Sequence, residues 1–179
     1  IIGTATGVTA IGKNRRDHNS KNDYDREGSP SSLDGNVEKN TKYDRRENVT
    51  NRKADDVNQE FEENGWNSPY QSGTRVVEYT TIVDEKFVRV HGDTNGVGGF
   101  IMHSEALDGL SPNQIQKKYS LPYKPSKISD VNVPSGTRIR TGKVEPNFNV
   151  VGGGGHGAIQ YQLLETIPIE SFSNTRPLY

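Results

Sequence analysis

Large apolar residues are nearly missing from the first third of the chain. Between Ile11 and Asp56 only Ile11, Tyr24, Leu33, Val37, Tyr43 and Val49 interrupt a run of Lys, Arg, Asp, Glu, Asn, Ser and Gly. Such a segment cannot bury enough surface to offset the entropy of ordering it. Residues 1–56 are therefore expected to be a polar, disordered leader or linker. From Val57 onward the pattern changes, and Phe61, Trp66, Val76, Val77, Ile82, Val83, Phe87, Val88, Val90, Phe100 and Ile101 follow closely at strand-like spacing. Residues 57–179 have the length and apolar content of one domain.

Within that domain the pattern predicts a short helix over Asp56–Glu63, stopped by Gly65. Trp66, Pro69 and Tyr70 form a turn, with the two aromatics expected to plug the core. The β-branched run Thr74–Val83 and the run Lys86–His91 read as two strands of a hairpin around Asp84-Glu85. A Gly-rich loop over 93–99 leads to a third strand at Phe100–Met102. Ser111 as cap and Pro112 at the first helical position start a second helix, which reaches about Tyr119 and cannot pass Pro122 and Pro125. Ile128–Val133 and Arg138–Val144 flank a Pro134-Ser135-Gly136 turn, and the last strand is Ala158–Glu165. Six or so strands with two short helices make an α+β domain around a small twisted, bent or split antiparallel sheet.

Composition narrows the function classes. The net charge is −1, so no global basic field points to nucleic acid through counterion release. Acids and bases interleave in the leader, as in a solvated linker. The chain has no cysteine, which excludes disulfides, thiolate metal sites and a cysteine nucleophile. Ile1–Ala10 is mildly apolar but too short and too rich in Gly and Thr to span a bilayer, so no membrane span is expected. The absence of an initiator Met suggests a piece cut from something longer.

Candidate chemistry is concentrated in a few places. The run Gly152-Gly153-Gly154-Gly155-His156-Gly157 is costly in chain entropy. It is either a loop whose backbone approaches a ligand, presenting Gln160 and Tyr161 behind it, or a plain hairpin loop. It is not a phosphate loop, because no Lys-Ser/Thr and no helix follow. Strand alternation puts Arg89 and His91 on one face and Val88 and Val90 on the other. Arg89 there suits a phosphate or carboxylate, or it is a solvent-facing charge. His91 is a candidate acid/base, or a surface imidazole. Arg138 and Arg140 share a face and read as solvated edge-strand charges. His103, Ser104 and Glu105 show no triad spacing, and no cluster has metal-ligand spacing.

The order of features carries more than any one of them. Arg89, Gly92, Gly99-Phe100, Leu121-Pro122, Ile128-Ser129-Asp130-Val131-Asn132-Val133-Pro134, Gly142-Lys143-Val144-Glu145-Pro146-Asn147-Phe148, Gly153-Gly154-Gly155 and Gln160-Tyr161 follow one another over about Phe87 to Leu164. This series resembles the tuberculosis necrotizing toxin family of NAD glycohydrolases.

The resemblance implies an ADP-ribosyltransferase-like fold with NAD as substrate. Arg89 would bind the NAD phosphates, with Gly92, Phe100, Gly153, Gly154 and Gly155 lining the dinucleotide. Gln160 would act at the nicotinamide ribose, and Tyr161 would point away and pack. The domain would be the C-terminal effector of a bacterial polymorphic toxin, secreted on an Rhs-type carrier and active in the target-cell cytoplasm. A cognate immunity protein would be its partner, and a target-cell protein would be the acceptor if ADP-ribose were transferred.

Two other readings stay open. In a toxin ribonuclease, Arg89, His91, Arg138, Arg140 and His156 would cleave tRNA. The third reading is a non-catalytic binding module displayed by the carrier.

Overall fold

The β-branched runs become strands of two antiparallel sheets. The computed structural model describes residues 46–146 and 157–179, all within the unit Asn36–Tyr179. Eight strands are described: β1 Arg46–Lys53, β2 Arg75–Thr81, β3 Glu85–His91, β4 Phe100–Ile101, β5 Lys127–Val133, β6 Arg138–Lys143, β7 Ile159–Leu163 and β8 Phe172–Pro177. One sheet has the order β1-β2-β6-β7-β4 and the other β3-β5-β8. A single bridge between Val88 and Met102 ties β3 to the chain just after β4. The expectation of an α+β domain with two short helices and a split antiparallel sheet therefore holds.

The predicted hairpin of the second and third strands does not form. β2 pairs with β1 and β6, whereas β3 pairs with β5. The cause is local. Thr81 ends β2 by exchanging bonds with Pro134–Thr137: its N–H donates to the Thr137 carbonyl at 2.9 Å and its hydroxyl to the Pro134 carbonyl at 2.8 Å. The exposed residues 82–84 then carry the chain across to the other sheet.

The leader boundary also moves. β1 lies inside the segment assigned to the disordered leader, yet it pairs with β2 from Arg46↔Thr81 to Lys53↔Arg75. The earlier part of the leader lies outside the described residues. A second strand, β8, was not expected at all; it pairs with β5 at the far edge.

Helix α1, Ala54–Glu63, ends at Asn64 with Gly65 at φ 76°. Its Ala54 and Val57 pack with Tyr70 and Val76 against the larger sheet. Helix α2, Pro112–Lys118, has Ser111 as its cap, Pro at its start and a reciprocal capping box with Gln114. A cap of that kind contributes about 1 kcal/mol. The main core takes Tyr79, Ile101, Ile139, Tyr161 and Leu163 from the larger sheet and Phe87, Val131 and Val133 from the smaller. A second cluster, around Val88, Val90, Met102, Ile115, Tyr119 and Val144, lies beneath α2.

Candidate functional site

At the end of β3, the start of β7 and the segment after α2, side chains surround a cleft of about 540 Å³. Its apolar lining comes from Val90, Met102, Tyr119, Leu121 and Val144, and its polar lining includes Arg89, His91, Lys124, Glu145 and Gln160. Of the residues singled out in the sequence, Arg89, His91, Gly92, Phe100 and Gln160 all line this one space. Gly153, Gly154, Gly155 and His156 lie outside the described residues.

Arg89 organises the loop that follows it. Its Nε and Nη2 donate to the Asn95 carbonyl at 3.3 and 3.2 Å, and its Nη1 donates to the Phe100 carbonyl at 2.8 Å. One N–H on Nη1 and one on Nη2 remain. Gly98 lies so close to this group that a Cβ there would stand 2.4 Å from Nη2. Burial lowers the guanidinium pKa from its ordinary value, but a guanidinium has ample margin and stays charged. Among the described residues no carboxylate pairs with it. A half-buried charge in that condition favours an anionic ligand.

Gln160 reaches the cleft from β7, where it pairs with Gly142. Its Nε2 donates to the Pro69 carbonyl at 2.7 Å, which fixes the amide orientation, since only the nitrogen can donate to that oxygen. The Pro69 position is itself anchored. Asn58, buried on α1, brackets the next residue, accepting from Tyr70 N–H at 3.0 Å and donating to the Tyr70 carbonyl at 2.6 Å. The Tyr70 ring is fully buried against Gly142, where a Cβ would meet it at 2.9 Å. Burial pushes the Tyr70 phenol above its usual pKa, so it stays neutral and donates to Gln162 Oε1 at 3.0 Å.

Three sequence expectations need correction. His91 is not placed as an acid/base, because both ring nitrogens are engaged internally. Nδ1 is 2.6 Å from the Gly92 carbonyl and Nε2 is 2.8 Å from Ser129 Oγ. The carbonyl can only accept, so Nδ1 donates to it, and Nε2 is tied to the Ser129 hydroxyl. The imidazole braces the cleft wall.

Arg140 is not an edge charge. β6 lies between β2 and β7, and Arg140 is buried with its Nη2 2.6 Å from Glu78 Oε1. Arg138, on the same face, is exposed as expected. Of the two aromatics expected to plug the core, Tyr70 does so, but Trp66 is 63% exposed. Tyr161 packs in the main core, as its strand parity implied.

Sequence reasoning passed over Asn58, Pro69 and Glu145. Pro69 contributes through its backbone carbonyl, which leaves no residue-type signal, and Asn58 through a side-chain amide whose partners, the backbone groups of Tyr70, lie twelve residues away and leave none either. Glu145 lay inside the resembling stretch but stood out by nothing except being a carboxylate. No protein-family model, no curated protein and no solved structure matches the chain.

Proposed function

We propose that this domain consumes NAD, hydrolysing the bond between nicotinamide and ribose. The observation that carries the reading is Arg89: a half-buried guanidinium without a carboxylate partner among the described residues, with two N–H groups to spare, on the wall of the cleft that also holds Gln160. The two spare donors suit a pyrophosphate oxygen pair. Gln160, with Oε1 unbonded among the described residues, is suited to a ribose hydroxyl. Phe100 and Tyr119 supply aromatic surface for a ring. In the reaction the C1′–N bond breaks with its electron pair passing to the nicotinamide ring. A water oxygen bonds to C1′, and one proton is released, giving ADP-ribose and nicotinamide. Fixed donors help such a step because they need no reorganisation as charge develops.

On this reading the domain is a toxin effector, borne by a secreted carrier into a target cell and restrained by an immunity protein that covers the cleft. The ribonuclease reading loses its best acid/base, since the His91 nitrogens are both spent.

The test is an incubation of the domain with NAD and, separately, with total tRNA. NAD should disappear and tRNA should remain whole, and Gln160→Ala should slow NAD loss at least about 100-fold. Intact NAD beside cut tRNA would sink the proposal in favour of the ribonuclease. Inactivity on both would leave the binding module.

A further inference from the structure

Glu145 is the carboxylate among the described residues of the cleft lining, and the hydrolysis proposed above gives it no task. Its position is tied to that of Gln160. The Pro69 carbonyl accepts from Gln160 Nε2 at 2.7 Å and from the Glu145 backbone N–H at 3.0 Å. Two donors on one oxygen lie roughly 5 Å apart or less, so the Gln160 amide and the Glu145 backbone are neighbours. The shared carbonyl cannot drift, because Asn58 holds both backbone groups of the adjoining Tyr70. The carboxylate is held too: Oε2 accepts from Ser72 N–H at 3.0 Å. Its Oε1 has no hydrogen bond among the described residues.

The chemistry lacks one thing that Arg89 and Gln160 do not provide. The attacking water must lose a proton as its oxygen bonds to C1′, and neither a guanidinium nor an amide accepts one at neutral pH. His91 has no nitrogen free for it. We propose that Glu145 is the general base of the hydrolysis. Its carboxylate takes the proton from water while the C1′–N electron pair leaves with nicotinamide, and it returns that proton to solvent after ADP-ribose departs. The inference rests on the NAD-consuming reading. The other ionisable groups of the described lining are Arg89, His91, Lys124, Tyr119 and Tyr123; of these Lys124 and Tyr123 are solvent-exposed.

Glu145→Gln is the decisive variant, since its amide oxygen can still accept from Ser72 N–H and its size is unchanged. Expected are a fall in kcat of about 100-fold or more, a KM within about twofold of wild type, and loss of the acid limb of the kcat–pH profile. Azide, a nucleophile that needs no deprotonation, should restore NAD consumption in this variant. Wild-type kcat and an unchanged acid limb in Glu145→Gln would overturn the assignment while leaving NAD consumption standing. Wild-type protein that leaves NAD intact would overturn both. If Glu145→Gln does not fold, Glu145→Ala with added formate makes the same distinction: rescue by formate supports the base, and no rescue refutes it.

Discussion

Arg89 shows what a single residue reveals before its structure is known. An arginine on a strand face ahead of a Gly-rich loop raised the expectation of an anion or of a solvent-facing charge, and the structure puts its guanidinium on the cleft wall. Its second task was not legible: the guanidinium binds the Asn95 and Phe100 carbonyls of its own loop, and such backbone acceptors have no signature in residue type. Gly98 belongs to the same arrangement, because only a residue without Cβ lets the backbone lie against the guanidinium. Gly98→Ala should therefore push Arg89 off both carbonyls. NAD turnover is expected to fall at least about tenfold, the cost of one charge-assisted bond or more, while the melting temperature drops by only a few degrees. Activity and melting measured on the same preparation check this, and unchanged turnover would show that Arg89 does not hold the substrate. The opposite case is Arg140, which the sequence could not distinguish from a surface charge. Only the sheet order places β6 in the interior, and Glu78 neutralises the arginine there.

Elements were legible wherever they buried a face or ended in a distinctive cap. Helix α2 follows directly from Ser111 and Pro112, and β5 from its alternation of apolar and polar residues. Strands β1 and β8 escaped because an edge strand has one neighbour and much solvent, so its composition is polar throughout. In both the register shifts and an asparagine takes positive φ, Asn48 at 52° and Asn174 at 50°, which breaks any alternation further. β8 is held to β5 by polar contacts instead. Asp130 accepts from Asn174 Nδ2 at 2.7 Å and from Arg176 Nη1 at 2.8 Å, and these bonds lower its pKa below the ordinary carboxylate value. A depressed carboxylate pKa contributes stability above its unfolded value, about 3.9, and the contribution disappears as pH falls through the lower folded value. Melting temperature measured between pH 5 and 2.5 should thus fall less steeply in Asp130→Asn than in wild type. The difference should be small, because the pair is half exposed and salt screens it.

At the scale of the molecule, the pattern of strands was readable but their partners were not. Adjacent runs in sequence suggested a hairpin, and the chain instead crosses between sheets at residues 82–84 and again at 134–137. The two crossings are joined: Thr137 N–H donates to Thr81 Oγ1 at 3.0 Å, and Ser135 N–H to Asp84 Oδ1 at 2.9 Å. Thr81 and Thr137 are buried, and Thr81→Val leaves the Thr137 N–H only its longer bond to the Pro134 carbonyl at 3.3 Å, at a cost of about 1 kcal/mol. Urea unfolding should show a lowered midpoint with an unchanged slope; an unaltered midpoint would mean that the Thr81 hydroxyl does not contribute to stability.

The junction and the cleft sit at opposite ends of the same strands. β3 leaves the junction at Glu85 and reaches the cleft with Arg89 and His91, and β6 leaves it at Arg138 and arrives at Val144 and Glu145. Seen as mechanics, this is a lever whose fulcrum is remote from its tips. An arm of six residues spans about 20 Å, so a tilt of roughly five degrees at the stitched threonines displaces the tips by nearly 2 Å. Such a displacement is enough to part a hydrogen-bonded pair. The cleft walls that carry Arg89 and Glu145 thus share an anchorage at their far ends, where the Thr81 and Thr137 hydroxyls both donate to the Pro134 carbonyl.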